Sequence, residues 1–134
     1  MTDDELLEIL SSTVTVSSHG TKIWRNRAGQ LHRVHGPAVE RISGGQEWYH
    51  NGLRHREVGP AVIYHDGQKE WWLNGELHRV DGPAIEYSNG TQEWYRNGNL
   101  HREDGPALID TDGTKLWYLN DVRVEPFTWT HTDG

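Results

Sequence analysis

Apolar and polar positions alternate in short runs along most of the chain, and the runs recur. "WWLNGELHRVDGPAIEYSNG" at residues 71–90 returns, with substitutions, as "WYHNGLRHREVGPAVIYHDG" at residues 48–67 and "WYRNGNLHREDGPALIDTDG" at residues 94–113. Gly-Pro-Ala begins at Gly36, Gly59, Gly82 and Gly105, and a Trp followed by a second aromatic stands at Trp48, Trp71, Trp94 and Trp117, both with a period of 23. A fixed period of this size marks a stack of supersecondary units. Alternation with period two marks strands.

Each unit carries two turn signals. One is Asn51-Gly52, Asn74-Gly75 and Asn97-Gly98, weakening to Asn120-Asp121; the other is Asp66-Gly67, Asn89-Gly90 and Asp112-Gly113, with Ser43-Gly44 as the weaker copy. Such dipeptides favour two-residue type I′ turns, which fix the pairing register. That register sets Trp72 opposite Leu77, Trp71 opposite His78 and Glu70 opposite Arg79 across the Asn-Gly turn, with Glu47–Arg56 and Glu93–Arg102 as equivalents. Across Asp66-Gly67 it sets Trp71 opposite Val62 and Glu70 opposite Ile63. The strand Gln68 to Leu73 is then expected between Ala61–His65 and Glu76–Val80. The chain bends at Gly82-Pro83, since Pro donates nothing to a ladder. The expected fold is mainly β: an elongated antiparallel meander of stacked 23-residue β-hairpins with a short N-terminal capping helix.

The first copy differs. Trp24 precedes Trp48 by 24 residues, so one residue is inserted around "NRAGQ", and Arg33 is expected to lose the register of its equivalents. Thr2 and Glu5 stand at capping-box spacing before Leu6, Leu7, Ile9 and Leu10, which predicts a short amphipathic helix, and Thr13–Val16 alternates as a strand. The expected divisions are an N-terminal cap over residues 1–20, a repeat array over 21–121, and a C-terminal cap and tail over 122–134.

Composition adjusts this picture. Only 34% of residues are hydrophobic, but seven Trp and five Tyr concentrate the apolar surface in large rings. There is no Cys, so disulfide and thiolate chemistry are excluded. No apolar run approaches a membrane span and no signal-peptide pattern opens the chain, so a cytoplasmic protein without membrane contact is expected. The net charge of -7 lies at the ends: Asp3, Asp4, Glu5, Glu8, Asp110, Asp112, Asp121, Glu125 and Asp133. Residues 21–109 hold 11 basic and 11 acidic side chains, which argues against direct nucleic-acid binding.

These units resemble the MORN-type repeat (membrane occupation and recognition nexus), a hairpin with a Tyr/Trp strand and an Asn-Gly turn. They are closest to a divergent branch with "WYxNGxLHRxDGPA" units found in tailed phages, giant viruses and some bacteria. The likeness covers about Trp24 to Asp121, with Arg-x-x-Gly-Pro-Ala replacing the glycines that usually follow the His. It implies a protein-binding or dimerising scaffold and, for a small phage-borne member, interference with a host protein.

Neither catalytic nor phosphate-loop motifs occur. Equivalent His residues His32, His55, His78 and His101 lie too far apart to share a metal, so no metal or cofactor is expected and packing against Trp is. Arg33, Arg56, Arg79 and Arg102 read as cross-strand partners of Glu, with Asp81 and Asp104 also in reach. The expected function is non-catalytic binding of a protein, such as a bacterial host defence protein inhibited by a phage product, with the acidic ends docking on a basic nucleic-acid-binding protein. The alternatives are a small-ligand or nucleotide binder using the aromatic and Arg ladder, and a self-assembling scaffold forming a homodimer. Candidate partner-binding residues are those that break the repeat or present aromatics: Arg27, Arg41, His50, Arg54, Tyr64, Trp72, Tyr95 and Tyr118.

Overall fold

The computed structural model describes residues 2–126, without the side chains of residues 8–11. The Glu8 carboxylate, Ile9, Leu10 and the acidic tail residue Asp133 therefore lie outside the described residues. A helix over Asp3–Ser11 opens the chain. Thr2 caps it, its hydroxyl accepting the Glu5 amide at 3.1 Å and its carbonyl the Leu6 amide at 3.0 Å.

The rest is one antiparallel meander. Eleven strands form a continuous sheet in chain order: Thr13–Val16, Lys22–Arg25, Val39–Glu40, Gln46–Glu47, Val62–Ile63, Lys69–Glu70, Ile85–Glu86, Gln92–Glu93, Leu108–Ile109, Lys115–Leu119 and Val122–Val124. Three two-stranded hairpins branch from it: Tyr49–His50 with Leu53–Arg54, Trp72–Leu73 with Glu76–Leu77, and Tyr95–Arg96 with Asn99–Leu100. The expected single strand from Gln68 to Leu73 is therefore broken. Trp71 is the corner: its amide donates to Ala84 in the next unit at 2.8 Å, while its carbonyl accepts from His78 at 3.0 Å.

The two turn types differ, and the difference moves the register. At the hairpin tips Asn51, Asn74, Asn97 and Asn120 have φ between 47° and 51°, and the residue after each is also positive, as type I′ requires. Trp72 pairs with Leu77 as expected. At Asp66-Gly67, Asn89-Gly90, Asp112-Gly113 and Ser43-Gly44 only the glycine is positive. Tyr64 bonds Gln68 across a three-residue loop, and the Gly67 amide returns to the Tyr64 carbonyl at 3.0 Å. The Asp66 carboxylate accepts the Gln68 amide at 3.0 Å, which holds Asp66 in the turn without a positive φ. Val62 therefore faces Glu70 and Ile63 faces Lys69, one position away from the two-residue expectation.

A one-residue slip changes which side chains share a face. Val39, Glu47, Val62, Glu70, Ile85, Glu93, Leu108 and Leu116 form one row across the sheet. Glu40, Gln46, Ile63, Lys69, Glu86, Gln92, Ile109 and Lys115 form the other. The core is thin. Ala38, Ala61, Ala84 and Ala107 are each fully buried, flanked by Val39, Val62 and Ile85.

The inserted residue of the first unit is absorbed locally. Asn26 bonds Gln30 across a three-residue loop with Gly29 at φ 83°, so His32 still donates its amide to the Trp24 carbonyl at 3.1 Å. The register downstream is that of the other units.

Candidate functional site

The repeated "HR" and "GPA" segments meet in one joint. Arg33, Arg56, Arg79 and Arg102 lie flat over Trp24, Trp48, Trp71 and Trp94, with guanidinium carbons 3.8, 3.8, 3.8 and 4.0 Å from the ring centres. Each donates to the carbonyl of the Pro four residues on, at 3.0–3.1 Å. The intervening glycine is needed for this fold-back. A Cβ on Gly36, Gly59, Gly82 or Gly105 would meet the guanidinium carbon at 2.8–3.0 Å. The expected Glu47–Arg56, Glu70–Arg79 and Glu93–Arg102 pairs do not form, because the chain turns a corner at Trp48, Trp71 and Trp94: each Glu stays in the main sheet while the Asn-Gly hairpin branches from it. Arg33 pairs instead with Glu40 at 3.0 Å and Arg79 with Glu86 at 2.9 Å. Arg79 and Arg102 also meet Asp81 and Asp104, as the sequence suggests, at 3.3 and 3.0 Å. Arg33 keeps its place despite the insertion.

The histidines join successive units. Nδ1 of His32, His55, His78 and His101 accepts the amide of Asn51, Asn74, Asn97 and Asn120, nineteen residues later, at 2.9–3.1 Å. The next residue in each of those turns donates its amide to the carbonyl before the His. Each hairpin tip is thus hooked onto the hairpin before it. His50 adds a contact outside the pattern, its ring 4.8 Å from His32 and 5.8 Å from His55. No group of three or more His, Asp or Glu among the described residues is arranged to hold a metal ion.

The displaced glutamates take hydroxyl and indole donors. Glu70, buried between Val62 and Ile85, accepts from Trp72 Nε1 at 2.9 Å, Tyr64 at 3.2 Å and Gln68 at 3.1 Å. Glu93 accepts from Tyr95 at 2.8 Å and Tyr87 at 3.2 Å. Such bonds make a buried carboxylate tolerable. Glu47 accepts from Arg41 at 2.7 Å and Tyr49 at 3.1 Å, with Arg54 at 3.5 Å. Burial pushes the Glu47 carboxyl up, but these bonds and both guanidinium charges outweigh it and hold it below its ordinary value. Arg54 also reaches Glu70 at 3.9 Å and lies 5.2 Å from the Trp72 ring. Burial would lower its guanidinium; Tyr49 and Glu47 raise it instead.

Of the candidate binding residues, Arg41, Arg54, Tyr64 and Trp72 come together around Glu47 and Glu70. His50 joins His32 and His55. Tyr95 supports Glu93, Tyr118 sits half-buried in the penultimate strand, and Arg27 is exposed on the inserted loop. Three of the acidic residues toward the C-terminus make separate local bonds. Asp110 accepts from Thr91 at 3.1 Å, Asp112 closes its own turn through Thr114, and Asp121 accepts the Leu100 amide. The Thr114 bonds hold the Asp112 carboxyl below its ordinary value.

No family model matches the chain, and no curated protein or solved structure resembles it significantly. Function is therefore read from the surface itself. Three grooves of 530, 620 and 480 Å³ open between successive units, each walled by two arginines of the Trp-stacked row. The sequence suggests aromatics and Arg between neighbouring hairpins, and the grooves lie there once each Gly-Pro bend has folded onto its Trp. Among the described residues, no helix is long and apolar enough to cross a membrane.

Proposed function

We propose that the chain is a non-catalytic repeat module that binds a protein partner through the surface around Arg41, Arg54, Tyr64 and Trp72. One observation carries this reading. Arg41 stands where later units have Tyr or Asp, Arg54 where three other units have Leu and the last has Arg123, and Trp72 where three have Tyr and the first has Arg25; all three converge with Tyr64 on the same two carboxylates. Arg, Tyr and Trp dominate the energetics of protein interfaces, most of all when held in place before binding. The repeated residues, by contrast, are consumed in holding units together.

The likeness to phage-type MORN units supports a specific form of this reading: a phage product that sequesters or inhibits a bacterial defence protein. A basic, nucleic-acid-binding partner would also meet the acidic ends. Affinity capture from bacterial lysate, run in parallel with the wild-type chain and the Arg41→Ser/Tyr64→Ser variant, tests it. A stoichiometric partner retained by the first and lost by the second is expected. Recovery of no stoichiometric partner, or equal recovery by both, contradicts it.

Self-association is favoured by one observation of its own. The first edge strand, Thr13–Val16, is exposed throughout and uncharged, with Val14 and Val16 half or more exposed. Natural edge strands usually carry charge or proline against pairing. A concentration-independent monomer mass by light scattering would remove this reading.

A further inference from the structure

The four arginines of the joint are equivalent in all but one respect. Arg33 pairs with Glu40, Arg79 with Asp81 and Glu86, and Arg102 with Asp104. Arg56 pairs with no carboxylate among the described residues. The positions that supply those acids, two and seven residues on, are Val58 and Ile63 in its unit. Its guanidinium nevertheless keeps the same place, 3.8 Å over Trp48 and bonded to the Pro60 carbonyl at 3.0 Å.

The other units define what this geometry accepts. A carboxylate oxygen sits 3.3 Å from Nε of Arg79 and 3.0 Å from Nε of Arg102, and another 2.9 Å from the Arg79 Nη1. We propose that Arg56 is an anion-binding site, a seat for a carboxylate-type oxyanion that comes from outside the chain and takes the place Asp81 and Glu86 hold at Arg79.

The nearest acid does not fill this seat. Glu57 lies 3.8 Å from His55, as Glu103 lies 3.2 Å from His101 while Arg102 keeps Asp104. The acid one residue after the Arg goes to the His, whereas the acids two and seven residues after it go to the Arg. Arg56 is open to ligand from both sides, because it lines the groove with Arg33, His35 and His50 and the groove with Trp71, Leu73 and Val80. Burial pushes its guanidinium below the ordinary value, with no carboxylate acting against that shift. An arriving oxyanion would relieve this, and the charge-assisted pair is pre-organised by Trp48 and Pro60.

The site is independent of the partner surface: it lies with the joint arginines, not with Glu47 and Glu70. The test is a titration of the full chain with acetate and with inorganic phosphate, following arginine Nε–H signals by NMR, with sodium chloride as the ionic-strength control. The expected result is a saturable shift at Arg56, absent at Arg79 and Arg102 and absent with chloride. Acetate acting as well as or better than phosphate assigns the seat to carboxylates; phosphate acting alone assigns it to phosphate-bearing ligands. The variant Val58→Asp, at a fully accessible position, supplies the acid that Arg79 and Arg102 already have, and should weaken the response at least tenfold. No saturable shift with either anion, equal shifts at all three arginines, or an undiminished response in Val58→Asp would overturn the proposal.

Discussion

The guanidinium carbon of Arg79 lies 3.8 Å from the centre of the Trp71 ring, eight positions earlier in the chain. This contact joins the end of one hairpin to its beginning and leaves room behind it only for a glycine. Every unit from Trp24 to Trp94 repeats it, and the His hooks then link one unit to the next. The joint is a stacked cation and a proline carbonyl, followed directly by a fully buried alanine.

The hooks should differ in energetic weight. His32 is 1% exposed, whereas the hydrogen bonds of the later histidines are solvent-accessible. Removing His32 leaves both a cavity and an unsatisfied Asn51 amide. His32→Ala should cost about 2–4 kcal/mol and His78→Ala about 1 kcal/mol in urea denaturation. The Asn97 amide should exchange with solvent markedly faster in His78→Ala. Equal losses, or unchanged Asn97 exchange, would contradict the hook.

The inserted residue of the first unit should be dispensable. Deleting Ala28 with Arg27→Asn restores the spacing and the Asn-Gly turn of the other units. Stability should stay within about 1 kcal/mol, because the loop alone absorbs the insertion. The Arg33–Trp24 stack should persist, read from ring-current shifts of the Arg33 side chain. A lost stack would mean the insertion sets the register after all.

Much of this architecture is legible in the sequence. The period, the strand alternation, the type I′ tips and the Thr2 cap follow from local chemistry. The second turn does not, because Asp-Gly is compatible with two turn geometries. Asp66 can enter αL, but its carboxylate bond to the Gln68 amide favours a three-residue loop with only Gly67 positive. That single choice sets Glu70 opposite Val62 instead of Ile63, while its separation from Arg79 comes from the corner at Trp71, where the Asn-Gly hairpin leaves the sheet. The Arg–Trp stack was hidden for another reason: it depends on the chain folding back at Gly-Pro, which no strand register describes. The site candidates were chosen as departures from the repeat or as aromatics, and four of them are neighbours because Glu47 and Glu70 both stand opposite Val62 in one row of the sheet.

Alkaline pH should weaken the fold through the tyrosine–glutamate row. The Tyr87 hydroxyl is pushed up to about 12, first by burial and then by the charge of Glu93. Burial and their Glu partners also raise Tyr95 and Tyr64. The folded state thus holds these protons more tightly than the unfolded chain, whose tyrosines titrate near ~10. Stability is full below that pH and is lost as pH rises toward the folded value. Urea midpoints should fall between pH 9 and pH 11.5, with tyrosinate absorbance lagging behind that of the urea-unfolded chain. A midpoint that holds steady across this range would contradict the raised hydroxyls.

The joint itself is tested most directly by a double-mutant cycle on Arg79 and Gly82, followed by urea denaturation. Gly82 has no positive φ, so alanine there conflicts only with the guanidinium, at 2.8 Å. Gly82→Ala should cost about 1–3 kcal/mol in the wild-type chain, as overpacking does. In the Arg79→Ala background it should cost close to nothing, a coupling of about 1 kcal/mol or more. The same cost in both backgrounds, within about 0.3–0.5 kcal/mol, would show that the two segments do not form one joint.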